Sequence, residues 1–220
     1  MMVRFLVLAL GVLLFCNDPA LAGAWPRAKG DSFVSAHVSS ETESPTDITL
    51  VSGYGEYGLT NRFTLGGGLD YDVTQKDIPF AQIFGRWHFP DSEGALRKAL
   101  SLGIEGNEEN QFLTPAFHLG RGFETALGPG WLDVEFSAQV STDTWGSDFG
   151  AYALVGLKPH KRVMTMMALD VLTVGDSVQI NAIPSVAWEF GDGRHMHLEW
   201  TRAVEGAIKD EVALGLWLEF

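Results

Sequence analysis

The chain has 220 residues, 46% of them apolar and 20% charged, with a formal net charge of −13, 25 glycines and one cysteine. So many apolar and aromatic residues exclude a disordered chain, and a single cysteine excludes a disulfide scaffold. The acidic balance argues against a nucleic-acid partner, whose phosphates it would repel. An acidic globule or a membrane barrel remains.

The chain opens with a short positive start ending at Arg4, then an unbroken apolar run over residues 5–15. That run is too short for the roughly 20 helical residues of a bilayer span and suits the core of an export signal. Ala20, Leu21 and Ala22 supply small residues at the spacing a signal peptidase reads. Residues 1–22 are therefore expected to be a cleaved signal peptide and residues 23–220 the mature domain. Cys16 follows Phe15 rather than a small residue, which argues against lipidation. Cleavage removes Arg4 and Asp18 together and leaves the net charge unchanged.

From there onward period-2 alternation recurs, with turn residues between the segments. Phe63, Leu65, Leu69, Tyr71 and Val73 alternate with Thr64, Asp70 and Asp72. Leu132, Val134, Phe136, Ala138 and Val140 alternate with Asp133, Glu135, Ser137 and Gln139. Val178, Ile180, Ala182, Val186, Trp188 and Phe190 alternate with Gln179, Asn181, Ser185 and Glu189. The end of the chain places Val212, Leu214, Leu216, Leu218 and Phe220 on one face. Twelve such segments are predicted, centred near residues 36, 53, 68, 84, 103, 117, 136, 153, 168, 184, 199 and 215. Their spacing of about 16 residues exceeds the roughly 8–12 of a soluble sandwich, and each is about as long as a tilted strand crossing a bilayer.

The fold class implied is all-β: a transmembrane antiparallel up-and-down β-barrel of about 12 strands, with both termini at one end. A lipocalin-like soluble barrel would show the same alternation with its faces exchanged. Three features favour the membrane form. Tyr57, Phe63, Trp87, Phe89, Phe123, Trp131, Trp188, Phe190 and Phe220 cluster beside one set of turns, and Tyr71, Trp145 and Phe149 beside the other, as two bilayer interfaces require. Twelve strands enclose more space than the small and polar side chains of the second face can fill. The export signal gives access to an outer membrane. Against the pattern, Pro184 falls mid-strand and predicts a bulge. Arg121 and Arg202 fall on the lipid face, where they must snorkel to an interface. The segment around residues 164–171 has a weak face signal, which leaves ten strands open.

The C-terminal alternation of residues 214–220, closing on Phe220, resembles the signal read by the barrel assembly machinery of Gram-negative outer membranes. The run Tyr54-Gly55-Glu56-Tyr57-Gly58-Leu59-Thr60-Asn61-Arg62-Phe63-Thr64-Leu65-Gly66 resembles a hairpin common in such proteins. Gly23-Ala24-Trp25-Pro26, with Lys29-Gly30, is similar to the mature start of a group of poorly characterised proteobacterial small barrels. The resemblance implies a place in the cell outer membrane, with its lipid, lipopolysaccharide and the assembly machinery as partners.

With both ends periplasmic, periplasmic turns are expected at residues 60–61, 90–98, 124–130, 159–160 and 191–193. Outer loops are expected at 41–47, 74–79, 107–111, 141–147, 174–177 and 203–209. The loops are short and acidic, with Glu41, Glu43, Asp47, Asp77, Glu108, Glu109, Asp143, Asp176 and Glu205 against Lys76 and Lys209. That is a solvated face, or a mouth that enriches cations and bridges lipopolysaccharide through divalent ions.

The inward face carries the candidate pore-lining residues Glu56, Asp70, Asp72, Arg86, His88, Glu105, Asp133, Glu135 and Glu199, with His118, Glu189, His195, His197 and Glu219 beside them. Carboxylates outnumber cations, so a small pore or solute-binding channel would favour cations. Tyr54, Phe80, Phe84, Tyr152 and Trp217 also point inward, to line a track or to fill the lumen of a plugged, structural barrel. His195, His197 and Glu199 lie on one strand face, but a metal would need a further ligand across the barrel. His37 and Ser39 are the nearest match to an outer-surface lipid hydrolase, with no third member or oxyanion loop beside them. Neither catalytic nor metal residues are therefore assigned, and nothing in the pattern requires a cofactor.

Overall fold

Twelve strands account for nearly all of the computed structural model, which describes residues 23–42, 49–90, 96–175, 177–206 and 210–220. They are β1 (Ser32–Glu41), β2 (Leu50–Thr60), β3 (Phe63–Asp72), β4 (Asp77–His88), β5 (Leu96–Gly106) and β6 (Gln111–Thr125). The second half comprises β7 (Gly128–Ser141), β8 (Ser147–His160), β9 (Val163–Val174), β10 (Ser177–Gly191), β11 (Arg194–Glu205) and β12 (Glu211–Glu219). Every predicted centre falls inside its strand, and the ten-strand alternative is discarded. The expected signal segment lies outside the described residues, as do Glu43, Asp47, Asp176 and Lys209.

Each strand pairs antiparallel with its neighbours in the chain, and β1 pairs with β12 to close the barrel. Closure leaves no edge whose amides would lack partners in hydrocarbon. The seam is sealed beyond the strands as well: the Ser32 amide donates to the Phe220 carbonyl at 2.8 Å, and the Phe220 amide returns a bond at 3.0 Å.

The start of β1 and the end of β12 lie at the same end of the barrel, where most of the short turns fall. Two-residue connections follow the pairs Thr60–Phe63, Thr125–Gly128, His160–Val163 and Gly191–Arg194. Pairing continues closer to these turns than the sequence suggests, so several boundaries move. Residues 159–160 belong to β8 and the turn is Lys161-Arg162; Lys98 belongs to β5; Pro79 belongs to β4. In the Asp192-Gly193 turn, Gly193 has φ +65°, a conformation that β-carbons disfavour.

The exterior is apolar and uncovered. Leu69 is 47% exposed, Leu102 55% and Phe136 52%, and comparable side chains surround the wall. Such a continuous surface needs lipid rather than water around it. Tyr57, Trp87, Phe89, Trp188 and Phe190 are exposed near the short turns, and Tyr71, Trp145 and Phe149 near the outer loops.

Trp131 corrects the expected girdle. It shares the inward parity of Asp133 and packs on Met164, Met166 and Ala187 beside Leu154 and Trp217. This apolar patch also explains the weak face signal of β9, which is apolar on both sides. No bulge forms at Pro184. The β10–β11 register is the same at Ala182–Arg202 and Ser185–Glu199, and only the bridges opposite Ile183 and Pro184 are missing. The shifts in that pair lie elsewhere, between Ile180 and Asn181 and between Glu189 and Gly191. Arg121 is exposed near the short-turn end; Arg202 sits near the outer end, 3.0 Å from Asp210 and over the Trp200 ring.

Candidate functional site: the charged lumen

Inward side chains of β2, β4, β6 and β7 meet across the lumen in a charged network. Glu56 on β2 accepts from Arg86 Nη1 on β4 at 2.8 Å, from Arg27 Nε at 2.8 Å and from the Tyr54 hydroxyl at 2.6 Å. Arg27 also stands 3.9 Å from Glu219 on β12. The two guanidiniums lie over aromatic faces, Arg86 over Phe84 and Arg27 over Phe33, each 4.8 Å from the ring centroid. Tight charge-assisted bonds and stacked guanidiniums together make this a rigid knot rather than a hydrated wall.

A second group lies on β5, β6 and β7. His118 is 1% exposed, with Nε2 2.8 Å from Ser101 Oγ and Nδ1 3.2 Å from Glu135 Oε2. Asp133 accepts from the Ala24 amide at 3.2 Å. His88 Nδ1 donates to the Ala24 carbonyl at 3.3 Å, and its Nε2 lies 3.2 Å from Thr64 Oγ1. Toward the outer end, Gln139 donates to Glu105 at 2.6 Å.

Across the lumen, an aromatic arc follows the wall from β4 to β11. Phe84 stacks on Tyr54, Phe33 meets Tyr54 and Trp217 edge-on, and Trp217 stacks on His197 at 4.2 Å. Gly66 makes room for Phe84, since a β-carbon there would lie 2.3 Å from the ring.

Of the candidate residues, Glu56 and Arg86 meet directly, and His88, Asp133 and Glu135 gather near them. Glu105 lies nearer the outer end. Glu199 is on the opposite wall, 3.9 Å from His197 Nε2. Asp70 is inward on β3, whereas Asp72 caps the following turn by accepting from the amides of Thr74 and Gln75. His195 packs against Trp217, and His197 contacts His37 at 3.3 Å. Among the described residues no group of three or more His, Cys, Asp or Glu is arranged to hold a metal. His37 and Ser39 share the inward parity of Phe33 and Ser35, so they form no Ser–His pair on the lipid-facing surface.

Among the described residues, two adjoining cavities lie on either side of the charged network. One of about 280 Å³ lies toward the short turns, and one of about 400 Å³ lies toward the outer loops. Tyr54, Arg86 and Glu135 line both and form the partition between them. Sequence reasoning missed Arg27, Ala24 and Trp25. Their one visible signal is an apolar Ala24-Trp25-Pro26 in a segment that would otherwise dangle in water.

No family model matches the chain, and no curated protein matches it. Solved barrels do. A KdgM porin superposes with a TM-score of 0.69 at 8% identity, covering 86% of this chain and 99% of that one. A COG4313 outer membrane channel from Pseudomonas putida F1 gives 0.62 at 13%, covering 92% and 100%. A NanC porin gives 0.63 at 5%, covering 85% and 98%. At these identities the likeness is one of fold.

Proposed function

We propose that the protein is a channel of the Gram-negative outer membrane that passes small neutral or cationic solutes. The observation that carries this reading is the imbalance of the lumen wall. Arg27 and Arg86 are both held by Glu56, and Arg97 and Lys158 add inward cations near the short turns, but Asp70, Glu105, Glu135, Asp170, Glu199 and Glu211 also point inward and outnumber them. A wall with surplus carboxylates favours cations. A KdgM porin has been solved in complex with disordered oligogalacturonate; that ligand is a polyanion, which the surplus charge of this lumen opposes.

The fold and the apolar exterior support the location. The terminal Phe220, bonded into the seam, supports recognition by the barrel assembly machinery. The acidic outer rim supports lipopolysaccharide as a neighbour through divalent ions.

Planar-bilayer recording tests the proposal. A salt gradient should give a cation-selective reversal potential, and Asp70→Asn with Glu105→Gln and Glu199→Gln should move it toward zero. Unchanged selectivity would remove the role of the carboxylates. A folded barrel with no conductance, even after removal of the segment described next, would remove the channel itself.

A further inference from the structure

We propose that residues 23–30 are a resident plug of the lumen, locked by the α-ammonium group that cleavage after Ala22 places on Gly23, with Asp133 and Glu135 as its carboxylate receptors. The inference rests on the channel reading above.

The segment enters the barrel from the short-turn end and is built into it. Ala24 is 1% exposed and Trp25 7%. Ala24 is held from both sides, its amide by Asp133 of β7 and its carbonyl by His88 of β4. Trp25 occupies a gap left by Gly120 on β6, where a β-carbon would lie 2.5 Å from the indole and 2.6 Å from Ala24 Cβ. Arg27 binds Glu56 and approaches Glu219. Gly30 and Asp31 then exchange backbone bonds with Gly58 at 2.8 and 3.0 Å, anchoring the exit to β2. The short stretch therefore ties β2, β4, β7 and β12 together across the opening.

Gly23 forms part of the wall of the inner cavity, with Asp133, Glu135 and Arg86. A side chain there would strike His118, whose Nδ1 would be 2.9 Å from its β-carbon. Backbone geometry puts the nitrogen of Gly23 within about 4 Å of that of Ala24, hence within about 7 Å of the Asp133 carboxylate. Asp133 is 4% exposed, and among the described residues no Lys or Arg stands within ion-pair distance of it. A carboxylate so enclosed needs a cation or several donors, and the Ala24 amide is one donor. With the bond to Ala22 intact the Gly23 nitrogen is a neutral amide; cleavage turns it into a cation within reach of the Asp133 and Glu135 carboxylates, beside Arg86, whose guanidinium carbon is 3.6 Å from the Gly23 β-carbon position. Export processing thereby completes the plug, and the plug sets how far the lumen is open.

Two measurements on the mature protein, purified from outer membranes into detergent, decide it. Reductive methylation with formaldehyde and borohydride, read by mass spectrometry, should find Gly23 as the first residue. Its α-amine should react at least about tenfold more slowly than exposed Lys29 and Lys98, because it must await local opening. Asp133→Asn with Glu135→Gln should erase much of that protection. An α-amine as reactive as Lys29, or a chain beginning elsewhere, overturns the lock. In bilayers, a mature chain lacking residues 23–30, or full-length Gly120→Val, should conduct at least about twice as well as the parent. Equal conductance overturns the plug. If none of the three conducts, the channel reading fails, while the labelling result still decides where the amino terminus lies.

Discussion

The partition of the lumen depends on one carboxylate, and a double-mutant cycle measures that dependence. The Glu56 side chain is 6% exposed and receives Arg86, Arg27 and Tyr54. Replacing it by Gln leaves two guanidiniums, 7% and 12% exposed, without their shared anion. Breaking a buried pair by removing one partner costs about 3–5 kcal/mol. Arg27 keeps Glu219 and Arg86 keeps the Phe84 face, so the lower end applies and Glu56→Gln should cost about 3 kcal/mol. Arg86→Gln strands Glu56 less completely, because Arg27 remains, and should cost about 2 kcal/mol. The double variant removes both charges and should cost about 3 kcal/mol in total, a coupling of about 2 kcal/mol. Urea unfolding of refolded barrels in lipid vesicles, followed by tryptophan fluorescence, supplies the four free energies. Additive single costs, within about 0.5 kcal/mol, would show that the two groups do not act as a pair and refute the reasoning.

Gly66→Val should destabilise the barrel by about 1–3 kcal/mol in the same assay, because its β-carbon displaces Phe84 from the stack on Tyr54; a neutral substitution would mean the arc is loosely packed. Deleting Phe220 should lower the amount of folded protein in outer membranes while detergent refolding persists, and wild-type levels in cells would dismiss the terminal signal. Unboiled protein should migrate apart from boiled protein on a denaturing gel, as closed membrane barrels do, and coincident bands would contradict the closed barrel.

Strand positions were readable because the lipid-facing half of each strand must be apolar over its whole length, so Leu132, Val134 and Phe136 betray β7 without reference to anything else. Interior detail was not, because the lumen does not impose one chemistry. Met164, Met166 and Ala168 are apolar yet inward, which blurs β9, and Trp131 looks like an interface aromatic until its parity with Asp133 is enforced. Pro184 misled in the other direction, since missing bridges on one side cost less than a shift that would turn every later side chain over. The charged knot was half visible: Glu56 and Arg86 were candidates, but their meeting depends on the β2–β3–β4 registers. The plug was beyond reach. Residues 23–31 have no period, and the bond from Ala24 to Asp133 joins positions 109 residues apart.

The net charge of −13 is distributed by position in the barrel, and that distribution links the exterior to the lumen. Lys29, Arg62, Lys98, Arg121, Lys161, Arg162 and Arg194 are exposed around the short-turn end. Asp77, Glu108, Glu109, Asp143 and Glu205 are exposed around the other end, with Lys76 and Arg202. Arg121 is exposed at the first rim, within reach of the lipid phosphates an outer membrane would supply, which resolves its apparent misplacement. Inside, Arg27 and Arg86 are held by Glu56 and Glu219, and Arg97 and Lys158 lie near the short turns, so carboxylates are in surplus at and beyond the partition. An entering cation would thus pass from an acidic mouth along an acidic wall to the partition of Tyr54, Arg86 and Glu135 and the Ala24–Trp25 segment. On the proposed reading, those elements would set its passage.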